Sequence, residues 1–355
     1  INKYHDGKGP YYIAEWYPGW FDSWGSKHNT SNLNEDAGKL DTVLANGISI
    51  NFYMFHGGTT RGFMNGANMS RRDPYSPQTS SYDYDAPLDE AGNPTPKYYK
   101  FREIIQKHLP PGEKLPPVPA SNKAIAIPTI KLTGQFPLLR NLPQPVVSDK
   151  PLCFEDLDQG YGFVLYRTKL KKAATGVLKI KELRDYATVY INNERVAVLD
   201  RHFKQDSVQL NNIPAGVTLD ILVENNGRIN YGPYLTDNRQ GITEKVTLNG
   251  TELTDWRMYK LPYNTAPKYS KLSGEVLYNW PVVFTGTFNL NKTSDTYLDM
   301  SKFGKGFVFL NGHNLGKYWY IGPQQTLYVP KSWLKQGQNE IVIFDQLKGG
   351  HTSIQ

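Results

Sequence analysis

The chain has 355 residues, 39% of them hydrophobic and 13% aromatic, with 40 Lys and Arg against 33 Asp and Glu for a net charge of +7. That length and apolar content suffice for two or three packed domains and exclude a disordered chain, and the absence of any run of ~18 apolar residues excludes a helical membrane span. The positive excess is spread thinly; its densest stretch, Lys169 to Lys181, alternates with apolar residues as the wet face of strands does, and with no binding motif beside it nucleic acid is not an expected partner.

The first residues, Ile-Asn-Lys-Tyr-His-Asp, carry no signal-peptide pattern. Tyr11 to Ala14 reads as a buried-type strand that delivers Glu15 into the run Glu-Trp-Tyr-Pro-Gly-Trp-Phe, where a carboxylate is followed at once by Trp16, Tyr17, Trp20 and Phe21. A pyranose ring stacks its C–H faces on aromatic rings, and glycosidases commonly bring carboxylates to its anomeric carbon. By themselves the residues equally allow Glu15 to end a strand at the surface beside an ordinary aromatic core.

Asn34 to Asn46 predicts a helix with Asn34 as N-cap and Gly47 as its stop. Ile48 to Phe55 predicts a second buried strand, closed by Gly57-Gly58. Thr59 to Pro96 is too long for a passive connection in a compact domain and is expected to form a site. Tyr98, Phe101, Ile104, Ile105, His108 and Leu109 then fall at helical spacing, stopped by Pro110-Pro111-Gly112. Two such βα units cannot close a sheet covered on both faces, so residues 1–109 are expected to be the end of a larger α/β unit whose earlier part lies upstream. Residues 110–122, rich in Pro, read as a linker.

Beyond the linker the pattern changes to short alternating strands. Phe163 to Leu170 matches Val283 to Leu290, Ala187 to Asn193 matches Gly306 to Gly312, and Val208 to Val223 matches Leu327 to Ile343, all at an offset of about 120 residues. That spacing suits one β-sandwich per repeat, so two tandem all-β domains are expected at 123–265 and 266–355. The single cysteine, Cys153, rules out an internal disulfide and a thiol pair for zinc. Sequons begin at Asn29, Asn68, Asn249 and Asn291, a number that an Asn-rich chain produces by chance.

Read together, Ala14 to Gly25, Asn51 to Thr59, Asn65 to Asn68, Ser81 to Pro87, Tyr161 to Arg167, Val223 to Gly232 and Asn311 to Trp319 make the chain resemble the family 35 glycoside hydrolases, the retaining β-galactosidases, over nearly its whole length. The resemblance implies the last two βα units of a (β/α)₈ TIM barrel, from its seventh strand onward, followed by two galactose-binding-like β-sandwich (jelly-roll) domains. It implies Glu15 as catalytic nucleophile, with Tyr53 hydrogen-bonding it, Tyr84 contacting a galactose hydroxyl and Trp20 walling the sugar subsite. It further implies a β-galactoside substrate, an extracytoplasmic location and no cofactor. The family's acid/base motif, Glu-Asn-Glu-Tyr-Gly, does not occur in this sequence. The chain is therefore expected to need the N-terminal portion of the barrel as its partner and to be inactive alone.

Several residues have blander expectations. His56 is read as a structural hydrogen-bonder, Asp83 and Asp85 as turn-forming or supporting groups rather than calcium ligands, Asp22 as a group orienting its aromatic neighbours, and Trp319 as packed in a domain interface. The rival classes are a non-catalytic carbohydrate-binding protein built on the two sandwiches, and a relative of other specificity, on glucosamine or longer galactans.

Overall fold

The computed structural model describes residue 8, residues 10–267 and residues 279–355. Strand β1 (Tyr12–Trp16) runs parallel to β2 (Ser49–Phe52), pairing Tyr12 with Ser49 and Ile13 with Ile50, and helix α1 (Leu33–Ala45) connects them. The cap of α1 is Asn32, not the expected Asn34: its side chain accepts from the backbone N–H groups of Asn34 and Glu35, which only a residue ahead of the first turn can reach. Helix α2 (Pro96–Lys107) starts with Pro96 at its first position and the Thr95 side chain accepting from Tyr98 N. The apolar stripes of the helices, Ala37 and Leu40 on one and Phe101 and Ile104 on the other, pack together and against Trp16 and Phe52 of the strands.

Residues 59–96 contain two short strands. β3 (Gly66–Asn68) pairs antiparallel with β4 (Ser76–Pro77) and parallel with Arg228–Tyr231, a strand from the β region far along the chain. This loop is thus pinned to the first sandwich.

That sandwich has a six-stranded sheet ordered Glu194–Asp200, Tyr186–Ile191, Thr218–Glu224, Phe163–Lys169, Trp256–Leu261 and Val146–Ser148. A four-stranded sheet made by Ser207–Ile213, Ala174–Ile180, Val246–Leu248 and Thr251–Glu252 covers one face, enclosing Val164, Tyr166, Val189, Leu178 and Ile221. The second sandwich repeats the order with His313–Trp319, Lys305–Leu310, Gly337–Asp345, Val282–Leu290, β5 (Ile130–Pro137) and Ser353–Ile354, faced by Thr296–Asp299 and Thr326–Val329.

Two expectations change here. The sandwiches are nested, not tandem: β5, expected in the first, pairs with Val282–Leu290 of the second, and Ala124 bridges to Asp295. The inner strand Val282–Leu290 has two edges of backbone donors and acceptors; Gly337–Asp345 satisfies one and β5 the other. The central strands also fail to alternate, being buried on both faces. Their second face is the junction of the two six-stranded sheets, where Phe163, Leu165 and Leu222 meet Val283, Phe307 and Phe344.

At the end of that junction sits a buried charge cluster. Glu224 closes the first sandwich's central strand and is paired with the ammonium groups of Lys305, and of Lys317 at 3.2 Å, both from the second sandwich. Lys317 Nζ also donates to the carbonyls of Asn225 and Asn226 at 3.1 and 3.0 Å, and Lys317 N donates to Ser80 Oγ at 2.7 Å. Asn65 Nδ2 donates to the carbonyls of Gln78 and Asn226 at 3.0 and 2.8 Å. The site loop and both sandwiches therefore converge on one set of polar contacts.

Candidate active site

Alternation along β1 decides where its carboxylate faces. Trp16 turns toward the helices, its ring 5.4 Å from Phe52 and 5.6 Å from Phe101, so its neighbour Glu15 faces the other way. Tyr17, two residues on, falls on the same side of the extended chain as Glu15, and its hydroxyl donates to Oε2 of Glu15. That bond pushes the Tyr17 phenol above its ordinary value.

This differs from the expected partner of Glu15. Tyr53, at the end of β2, stands edge-on to Tyr17 at 5.7 Å and to Tyr84 at 5.9 Å, and is hydrogen-bonded to Tyr82. Tyr17 is two residues beyond Glu15, the spacing at which side chains of an extended chain share a face. Burial raises the phenols of Tyr82 and Tyr84 well above the usual range, so both are neutral donors.

Trp20 stacks on Phe21 at 5.1 Å and lies 6.0 Å from Tyr84, with nearly half its surface open. Tyr84 itself is buried and holds a left-handed backbone, φ 66°. Together these groups line a cavity of about 430 Å³, in which Glu15 is accompanied by seven aromatic rings (Tyr17, Trp20, Phe21, Tyr53, Tyr82, Tyr84 and Tyr231) and three amides (Asn68, Gln78 and Asn230). The four residues singled out in the sequence, Glu15, Tyr53, Tyr84 and Trp20, thus share one cavity. Apolar faces, amides and a carboxylate around a volume of this size suit a ring with C–H faces and many hydroxyls.

The sequence groups Tyr17 and Phe21 with Glu15 as a sugar-stacking run, but it does not mark out Asn68, Gln78, Tyr82, Asn230 and Tyr231 as lining groups. The last two arrive on Arg228–Tyr231, laid beside β3 by the parallel pairing. The only available signal was that Val223 to Gly232 and Asn65 to Asn68 are both motif segments.

The supporting groups are arranged as follows. Asp22 accepts from Asn29 N at 2.8 Å and lies 2.7 Å from His28 Nδ1, which raises the His28 imidazole; Asp22 thus fixes the chain leading to α1. Asp83 Oδ2 accepts from Asp85 N at 3.3 Å within the turn, and burial raises its carboxyl. His56 Nε2 lies 3.3 Å from the Glu90 carbonyl. Trp319 is buried against Trp24 and Tyr186, away from the cavity. Among the described residues no group of three or more His, Cys, Asp or Glu is placed to hold a metal ion.

Comparison with known proteins gives the lineage of this arrangement. Residues 1–108 match the glycosyl hydrolases family 35, residues 151–262 the first all-beta domain of β-galactosidase, and residues 281–339 its galactose-binding domain. The chain belongs to glycosyl hydrolase family 35. It is 42% identical over 326 residues to a β-galactosidase of Xanthomonas manihotis, covering 91% of this chain and 54% of that protein. It is 37% identical to β-galactosidase 1 of Dictyostelium discoideum, over 94% of this chain and 55% of the relative, and 36% identical to the human β-galactosidase-1-like protein 2, over 97% and 55%. The chain spans about half the length of the curated relatives it matches. In this family-35 chain the first family match ends at residue 108, yet the cavity also takes Asn230 and Tyr231 from the first all-beta domain.

Proposed function

We propose that this chain is the nucleophile-bearing part of a retaining exo-β-galactosidase that removes terminal non-reducing β-D-galactose from glycans or oligosaccharides. Glu15 is the nucleophile, on what would be the seventh strand of a (β/α)₈ barrel, with β2 as the eighth. The general acid/base comes from a segment outside these 355 residues. The observation that carries this reading is Glu15, hydrogen-bonded by Tyr17, as the one carboxylate among the described residues lining an aromatic, amide-edged cavity.

In the first step Glu15 attacks the anomeric carbon and the acid protonates the departing glycosidic oxygen, leaving a covalent glycosyl-enzyme; water, deprotonated by the same acid/base, then releases galactose and frees Glu15. Double displacement requires the two carboxyls about 5 Å apart. Tyr17 stabilises the charged nucleophile before attack and can remain near the ester oxygen after it. Trp20 and Tyr84 wall the sugar, Tyr84 offering its neutral hydroxyl, while Tyr53 buttresses Tyr82 and Tyr84. The test is Glu15→Gln in the complete polypeptide: turnover of aryl β-galactosides is expected to vanish while folding is retained. Substantial remaining activity would remove Glu15 from the mechanism.

A further inference from the structure

Lys97 is the second residue of α2, where a helix disfavours a cation, and it is only 5% exposed, a burial that lysine rarely accepts without compensating partners. Its Nζ reaches four oxygens on three separate pieces of chain: Pro18 O at 2.6 Å, Ser31 Oγ at 2.7 Å, and Asp85 O and Oδ2, each at 2.6 Å. Asp36 Oδ2, on α1, lies 3.9 Å away and has no hydrogen-bond partner of its own, so the ammonium stands between two carboxylates. Ser31 reinforces the node, its N and Oγ each 2.8 Å from Asp85 Oδ2.

None of these atoms lines the cavity, yet Pro18 and Asp85 each adjoin a residue that does. Pro18 follows Tyr17 and precedes Trp20 by two positions, and Asp85 follows Tyr84. We propose that Lys97 is a positioning residue for the sugar cavity: its buried ammonium clamps the chain carrying Tyr17 and Trp20 to the chain carrying Tyr84. Its role is to hold the aromatic walls at their spacing. It touches no substrate. A long aliphatic stem ending in three donors suits this task, because the clamp must pass through a packed helix–loop junction and then satisfy backbone carbonyls as well as a carboxylate. The proposal rests on reading the cavity as a glycoside site, and the experiment separates the two ideas.

Lys97→Met, which keeps the stem and removes the clamp, is made in the complete polypeptide and compared with wild type by amide hydrogen exchange and by steady-state kinetics on an aryl β-galactoside. Exchange is expected to rise together in residues 17–22 and 82–86 while Phe163–Lys169 and Val282–Leu290 keep wild-type rates. KM for the galactoside and the inhibition constant of galactose are expected to rise about tenfold or more, with kcat changing less, since misplaced walls lose sugar contacts before they lose the nucleophile. Lys97→Arg, which keeps the charge, is expected to recover part of both effects. A variant that merely loses thermal stability, with KM and the exchange of both segments unchanged, overturns the proposal. Should Lys97→Met fail to fold, Ser31→Ala reads the same node: a smaller joint rise in the two segments supports the clamp, and no rise overturns it. Should wild type turn over no galactoside, the glycosidase reading fails, and the joint exchange of the two segments alone decides the clamp.

Discussion

Gly19 lies directly beneath the carbonyl of Tyr84: a Cβ at Gly19 would stand 2.0 Å from that oxygen, nearer than any real contact. Gly57 relates to Tyr82 in the same way, with 1.6 Å to its carbonyl oxygen. The segment bearing both tyrosines is thus seated on two bare stretches of backbone, one after each strand of the parallel pair.

Gly19→Ala is therefore expected to lift the Tyr84 segment and enlarge the cavity mouth. In the complete polypeptide we expect kcat/KM for an aryl β-galactoside to fall about a hundredfold, in line with the cost of a ~1 Å misplacement of positioning groups. Gly38→Ala, in the open on α1 where a Cβ meets nothing within 4 Å, serves as the control and is expected to leave kcat/KM unchanged.

Tyr17 and Tyr53 can be told apart by deleting one oxygen from each. Tyr17→Phe removes a hydrogen bond to a charged carboxylate, worth about 1.5–3 kcal/mol, so kcat/KM is expected to drop by roughly ten- to a hundredfold. Tyr53→Phe removes a contact to Tyr82 and is expected to cost less. The reverse order would return the role of partner to Tyr53.

The outer wall supplied by the first sandwich is testable without disturbing folding. Tyr231 is 72% exposed, so Tyr231→Ala is expected to change stability by less than about 0.5 kcal/mol. Its ring nevertheless lines the cavity, and the variant should raise KM for β-galactosides while thermal denaturation stays put. An unchanged KM would remove the Tyr231 ring from the sugar site.

How much of this was legible in the sequence depends on the range of the interactions involved. The helix around Leu40 and the one around Phe101 were readable because an apolar stripe and a capping side chain act within a few residues. Their exact starts were not, since Asn32 and Asn34 are equally good caps by type and only backbone direction chooses between them. The repeat linking Phe163 to Val283 was visible because each sandwich buries the same pattern of positions. The partner of β5 was not, because strand propensity says nothing about which distant edge a strand completes. Asn230 escaped for the same reason: a parallel pairing across much of the chain brings it beside Asn68.

The buried cluster around Glu224 makes a prediction about stability and pH. Glu224→Gln would leave two buried ammonium groups without a carboxylate, and denaturant unfolding is expected to show a loss of about 3–5 kcal/mol. Burial pushes the Lys317 ammonium down to about 8 from its ordinary 10.5. The folded value is the lower one, so between these two pH values the unfolded chain holds more protons and this group's contribution to stability rises with pH. Lys317→Met should abolish that rise. Burial alone would raise the Glu224 carboxyl, but Lys305 and Lys317 hold it below its ordinary 4.5, so its contribution is present above that value and lost as pH falls below it.

The nesting of the two sandwiches also fixes an order of assembly. Strand β5 is synthesised before any of the first sandwich's sheet, yet its partner Val282–Leu290 is made only after that sheet is complete. During synthesis β5 must wait unpaired, and the earlier unit can close while the later one still lacks its inner strand. A cut between the sandwiches would likewise not yield two independent halves: the downstream piece would present the bare edge of Val282–Leu290, an open template for pairing with another chain.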